Sequence, residues 1–362
     1  MQGENETELY PLKFRSLPKE KVWGGTRIAA RFDGDIPDDR PIGEVWLVWD
    51  QLPVTNGPFR GQTLADLVRR YPVSLLGSQS GAGPDPKFPL LIKILDANDT
   101  LSVQVHPDDR YAQAHEGEPF GKAEVWLVLD ADPDARLIHG VKCPLTRAAA
   151  RSAIEAGRLE DALAYIKTSP GDVIMNGPGA IHALGGGILL YELQQSSDLT
   201  YRMYDWDRQD PDRPLHIDKA LDVARLDPFP RHKITPVDLP ESGGTRRILC
   251  ACEPFAAELL RVRSSVAEQP AGECFHALTV LQGQGSLRYG GQAAAQLGLR
   301  PGESVLVPAS IEEYEIRAAT GDAPLEVVKA YVLPRFEEMA GSLRDRGIPD
   351  GAIDQLRGKP GA

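Results

Sequence analysis

Three stretches of the 362-residue chain carry side chains able to hold a metal ion: LSVQVHPDD (101–109), GKAEVWLVLD (121–130) and GDVIMNGPGAIHALGGG (171–187). Alternate side chains of a strand share one face. That period turns Ser102, Gln104 and His106 away from Leu101, Val103 and Val105, and sets Lys122, Glu124 and Trp126 opposite Ala123, Val125 and Leu127. His182 follows the turn Gly177–Pro178–Gly179, which can re-aim the backbone inward. Glu124 in an apolar strand needs a cation, because a lone buried carboxylate is costly. Two imidazoles and a carboxylate from separate strands form a three-ligand set that leaves zinc an open position for water or substrate. Gln104 is the weakest ligand of the group, since amide oxygens are uncommon on zinc.

Cations accompany these residues. Lys93 interrupts the run Leu90–Leu91–Ile92–Ile94–Leu95, Lys122 shares a face with Glu124, and Arg202 lies between Tyr201 and Met203. Each alone reads as an ion-pair partner; together, beside a metal in an acidic protein, they suggest a pocket for an oxyanion or a phosphorylated sugar. Glu192, in LLYELQQSSD, is a further inward-facing candidate whose plain reading is pairing with one of these cations. His115, His139, His216, His232 and His276 fall into no second constellation.

The elements that must position these residues are mostly short strands. Gly 35 and Pro 30 punctuate many short apolar runs, which favours turn-linked strands over a helical bundle. TLADLVRRYPVSLLG (63–77) has helical spacing, with Pro72 as a stop. PLTRAAARSAIEAG offers Thr146 as a helix cap, and RLEDALAYI continues with helical spacing. A polar, Pro-rich connection (207–245) precedes a second strand-rich half, where Gly302–Glu303 echoes Gly171–Asp172 before an apolar strand. That echo suggests a duplicated small barrel.

The formal net charge of −12 argues against a nucleic-acid partner. The four cysteines make a poor disulfide framework, and neither a signal peptide nor an eighteen-residue apolar run is present, so a cytoplasmic enzyme without a membrane partner is expected.

Gln104-x-His106-Pro107, Gly121-Lys122-x-Glu124, Gly171-Asp172 with Gly179-x-x-His182, and Leu193-Gln194-Gln195-Ser196-Ser197-Asp198 through Tyr201-Arg202 occur in one order. That ordered set resembles the class I mannose-6-phosphate isomerases, a cupin family, in their bacterial short form. The resemblance implies a mainly β fold of two cupin-like (jelly-roll) barrels with a small helical insert and C-terminal helices. It divides the chain into a metal-bearing catalytic barrel (1–143 and 168–235), a helical insert (144–167), a second barrel without metal (240–335) and a helical tail (336–362). It also implies one zinc ion per chain on Gln104, His106, Glu124 and His182. Lys93, Lys122 and Arg202 become substrate-binding residues, and Arg202, Lys122 and Glu192 the catalytic set for interconverting mannose 6-phosphate and fructose 6-phosphate through an enediol. A monomer or homodimer is expected.

Departures from the family pattern are local. Gly121 stands where longer members carry a histidine, Gly177–Pro178 displaces the usual proline, and Gln51-Leu52-Pro53 replaces a Ser-x-His run. A metal-dependent cupin acting on another sugar or sugar phosphate, an iron cupin oxygenase and a non-catalytic sugar-sensing cupin are the alternatives.

Overall fold

Period-two alternation dominates the observed elements, as each barrel wall needs one face inward and one outward. The computed structural model describes residues 8–358 apart from 33, 35, 79, 81–84, 209, 271, 292–294, 322 and 334. Its first half contains strands β1 (Leu12–Lys13), β2 (Leu17–Gly25), β3 (Ile42–Val48), β4 (Leu90–Ala97), β5 (Val103–Val105), β6 (Glu124–Ala131), β7 (Arg136–Val141), β8 (Leu163–Lys167), β9 (Val173–Asn176), β10 (His182–Ala183), β11 (Ile188–Gln195) and β12 (Tyr201–Tyr204). The second half contains β13 (Val237–Glu241), β14 (Gly244–Ala251), β15 (Ala256–Val262), β16 (Ser265–Glu268), β17 (His276–Gln282), β18 (Gly285–Tyr289), β19 (Ala295–Leu299), β20 (Ser304–Val307), β21 (Tyr314–Ala318) and β22 (Leu325–Tyr331).

These strands build two antiparallel double-sheet barrels of one topology. The first pairs a sheet ordered β2-β3-β4-β11-β6-β9 with one ordered β12-β5-β10-β7-β8. The second pairs β13-β14-β15-β22-β17-β20 with β16-β21-β18-β19. Even the irregularities repeat. A register shift follows Trp46 in β3 and Ile248 in β14. The Val128 amide donates to the Asp172 carbonyl and the Val128 carbonyl accepts from the Gly171 amide, as Val280 does with Glu303 and Gly302. Through these shared landmarks each inward position of one barrel can be matched to a position of the other. The anticipated Gly171/Gly302 echo is therefore a structural equivalence.

Four apolar clusters support the barrels. Trp23, Leu95, Trp126, Val128, Ile174 and Leu190 fill the first interior, and Leu260, Leu278, Val280, Val305, Val307 and Val327 fill the second. The outer faces of the two large sheets meet in one continuous core, in which Val45, Tyr191 and Leu193 join Phe255, Phe275 and Leu306. Helix α1 (Leu64–Arg70) joins that core through Leu64, Leu67 and Val68, started by reciprocal hydrogen bonds between Thr63 and Asp66. The tail helices α4 (Phe336–Asp345) and α5 (Asp350–Leu356) join it through Leu343, Ile353 and Leu356. Helices α2 (Arg147–Glu155), capped by Thr146, and α3 (Ile217–Val223) cover the outside of the first barrel's smaller sheet.

Three expectations are corrected. Residues 159–162 form one 3-10 turn and 163–167 are strand β8, so the helical insert ends well before 167. The open edge of β7 takes Leu163–Lys167 into a ladder, which satisfies backbone groups that helical spacing alone would have left to a short, marginal helix. Strand β1 belongs to the second barrel's sheet, with Leu12 opposite Leu306, although residues 1–143 were expected in the first barrel. Finally, the 207–245 connection is structured: it holds α3 and β13. Among the described residues, no helix is long and apolar enough to cross a membrane.

Candidate metal centre

Strand register brings the distant motifs to one place. In the smaller sheet His182 lies opposite Gln104 on one side and His139 on the other, and Gln104 lies opposite Arg202. In the larger sheet Glu124 lies between Gln194 and Asn176. Cross-strand partners share a face, so both rows point into the first barrel.

The turns between these strands are cross-tied. The Gly179 amide donates to the His106 carbonyl (2.9 Å) and the Lys122 amide to the Pro107 carbonyl (3.0 Å). Asp109 accepts from the Gly121 amide (2.7 Å) and the Gln195 side chain (2.9 Å), while Gln195 Oε1 accepts from the Ala123 amide (2.9 Å). Gly121 is confined: a Cβ there would lie 2.5 Å from the Pro107 carbonyl oxygen. No side chain, histidine included, fits at that position.

The donor atoms converge. His106 Nε2 is 3.3 Å from Glu124 Oε1, and His182 Nε2 is 3.4 Å from Glu124 Oε2. One ligand atom from each of the three lies within 4.8 Å of the others. Both histidines turn Nδ1 to a backbone carbonyl, of Leu199 (2.8 Å) and Ala180 (2.9 Å), which leaves Nε2 facing the carboxylate. This is how a metal-ligating imidazole has its ring fixed. Gln104 places its amide 3.3 Å from His182 Nε2, and a half-turn of that amide presents Oε1 instead.

The electrostatics match a cation site. Burial pulls His106 down to about 3, helped by Lys122, so its ring is neutral and able to donate a lone pair. Burial pushes Glu124 up, but Lys122 and His106 overcome it and hold the carboxyl well below its usual range. Lys122 Nζ lies 2.7 Å from Glu124 Oε1 and 3.4 Å from His106 Nε2, a side-chain cation already drawn to these donors. Even so, neither Glu124 oxygen has an aligned hydrogen-bond donor, and both are buried. A buried carboxylate in that condition, flanked by two imidazoles, fits a divalent metal.

The other anticipated residues line the same interior. Lys93 Nζ is 3.2 Å from Glu192 and 3.8 Å from Glu44. Burial lowers the Lys93 pKa, but Glu192 and Glu44 more than offset it and the net shift is upward. Glu192 receives Trp126 Nε1 (2.8 Å) and is raised by burial against the pull of Lys93. Arg202 is half-buried and donates from Nη1 to the Pro214 carbonyl (3.0 Å), while its Nε is buried without a partner.

Several wall residues were not anticipated. Glu44 accepts from Trp46 Nε1 (2.7 Å), and Lys19 sits over the Trp46 ring at 3.7 Å. The alternation in GEVWLVWD could have identified both. His139, set aside in the sequence, shares a row with His182 and pairs with His232 at 3.0 Å. A cleft of about 610 Å³ lined by Asp132, Arg136, Glu160 and Tyr165 contains none of the donors. Converging chemistry, not cavity size, therefore marks the site.

The chain as a whole is similar to known proteins. Residues 12–134 match the family model described as phosphomannose isomerase type I, catalytic domain. A mannose-6-phosphate isomerase of Bacillus subtilis is 35% identical over 84% of this chain and 95% of its own length. One of Streptococcus mutans is 36% identical over 89% of this chain and 98% of its own. The crystal structure of a mannose 6-phosphate isomerase from Bacillus subtilis superposes with a TM-score of 0.78 at 30% identity, covering 88% of this chain and 99% of that one. With full-length similarity of that degree, the chain belongs to the type I phosphomannose isomerase family.

Proposed function

We propose that this protein interconverts mannose 6-phosphate and fructose 6-phosphate, with one zinc ion held by Gln104, His106, Glu124 and His182. The observation that carries the proposal is the convergence of His106, Glu124 and His182 inside the barrel, ringed by Lys93, Lys122 and Arg202. Relatives named for this activity supply the substrate. When bound, zinc supplies Lewis acidity that stabilises negative charge at the sugar's C1 and C2 oxygens.

The chain's own residues do the rest. Aldose-to-ketose conversion moves the C2 hydrogen to C1 as a proton and passes the C2 hydroxyl proton to the C1 oxygen. Lys122 carries the carbon-bound proton from C2 to C1, its nitrogen lying beside the donor set, 2.7 Å from Glu124 Oε1 and 3.4 Å from His106 Nε2. Arg202, with a buried unpartnered Nε on the strand beside Gln104, binds the oxyanion that develops in the enediol transition state. Lys93 binds substrate oxygens, and Glu192, fixed between Lys93 and Trp126, sets the lysine's position.

The test pairs metal analysis with turnover. Purified protein should carry about one zinc per chain, convert fructose 6-phosphate to mannose 6-phosphate, lose activity to a chelator and regain it with zinc. Zinc-loaded protein that binds sugar phosphate without turnover would overturn the proposal in favour of a sensing role. Iron-dependent oxygen consumption would point to an oxygenase.

A further inference from the structure

Asn176 ends β9 directly opposite Glu124 of β6, inside the first barrel, and is 0% exposed. Both polar atoms of its carboxamide are buried without a hydrogen-bond partner. Opposed side chains on antiparallel strands have Cβ atoms about 5 Å apart, so this amide and the Glu124 carboxylate stand within reach of each other. All four of their polar atoms lack an aligned partner.

The fold does not require an amide there. In the second barrel the same register position, opposite His276 of β17, is Val307, packed with Leu278, Val280 and Val305. Both positions lie five residues after the glycine of their Gly–acid turns, Gly171–Asp172 and Gly302–Glu303. One barrel thus closes this place with a methyl-bearing side chain, while the other puts a polar group beside its metal-binding carboxylate.

We infer that Asn176 is a positioning residue of the metal centre: its carboxamide donates a hydrogen bond to the Glu124 carboxylate when a divalent cation is held by His106, Glu124 and His182. The Glu124 oxygens face Lys122 and the two imidazoles, and the buried amide stands beside them without a partner of its own. Ligating carboxylates are commonly steadied in this way by a neighbouring donor. The inference rests on the metal centre proposed above.

The experiment measures zinc affinity by competition with a chelating chromophore, together with the thermal midpoint of the metal-free protein. Asn176→Val should weaken zinc about tenfold or more and raise the metal-free midpoint, since an unsatisfied amide gives way to an apolar group. A purely structural asparagine would not move these two readouts in opposite directions. Asn176→Thr has the shape of valine with a hydroxyl donor, and should retain more zinc affinity than the valine variant. Equal zinc affinity for wild type and both variants would overturn the inference alone. Failure of the wild type to bind zinc would overturn the metal centre and this inference with it. If the valine variant does not fold, a threonine variant that folds and binds zinc no better than a serine-free, donor-free Asn176→Ala variant would also overturn it.

Discussion

Lys93 and Glu192 face each other across β4 and β11 with 3.2 Å between their charged groups, and the second barrel holds the same pair with the charges exchanged. There Glu258 of β15 faces Lys329 of β22 at 2.9 Å. The exchange extends to the neighbouring strand, where Glu44 of the first barrel corresponds to Arg246 of the second, which pairs with Glu258 and Glu268. Positions matching Gln104, Glu124 and His182 hold Glu268, His276 and Tyr314, with His276 Nδ1 2.8 Å from the Tyr314 hydroxyl. One lysine and one arginine, Lys329 and Arg246, thus neutralise Glu258 and Glu268 inside the second barrel.

Removing one member of a buried pair leaves the other charge stranded. Lys93→Met should cost about 3–5 kcal/mol of stability in denaturant unfolding. The double variant with Glu192→Met should recover part of that loss, because the stranded carboxylate is gone. A single variant as stable as wild type would show that the pair is not held as described.

Glu124→Gln keeps the shape of the side chain and removes its charge. Zinc affinity should fall by at least about a hundredfold, as a neutral amide is a poor ligand, while the far-ultraviolet circular dichroism stays that of a β protein. Retention of zinc at wild-type affinity would remove Glu124 from the ligand set.

Substitution of Arg202 tests whether turnover can be lost while metal is kept. Arg202→Ala should lower kcat by about a hundredfold to a thousandfold, the scale of losing one oxyanion donor, with zinc content unchanged. Unchanged turnover would exclude the arginine from the reaction, and lost zinc would assign it a structural role.

Acid should unfold the protein through two kinds of group. Burial, with His232 beside it, pulls His139 down to about 3, whereas an unfolded-chain histidine titrates near 6.5. Between those values the unfolded state binds more protons, so stability falls as pH drops. Burial pushes Glu258 up, but Lys329 and Arg246 draw it down to about 2, so its contribution is present above its ordinary value of 4.5 and is lost as pH falls toward 2. The denaturant midpoint should decline steadily from pH 7 to pH 4, and His139→Gln should flatten that decline between pH 6.5 and 4. A profile that is level in wild type from pH 7 to pH 4 would contradict the burial effect at His139.

Much of the proposed centre was legible because its candidate residues sit on alternating strands whose apolar faces are unambiguous, as at Val103 and Val105 beside Gln104. His182 could be read from the turn before it. The wall formed by Glu44 and Trp46 was not singled out, since alternation alone does not say which inward acid meets which cation. Strand β8 was misread because Leu159, Leu163 and Ile166 fit a helix locally, and only the free edge of β7 decides otherwise. The charge exchange between the barrels was invisible for a related reason: register across strands is not a property of any one segment. Asn176 reads locally as the start of a turn, and its isolation shows only once β6 lies beside it.

Leu12 and Lys13, among the first described residues, find their partners at Leu306 and Val305 near the far end of the chain. During synthesis this short strand leaves the ribosome well before its partner and has nothing to pair with until residues 305 and 306 have been made. The later-made barrel is sealed by an earlier-made strand, so a nascent chain truncated before residue 305 has no mate for it, however well its first barrel has formed.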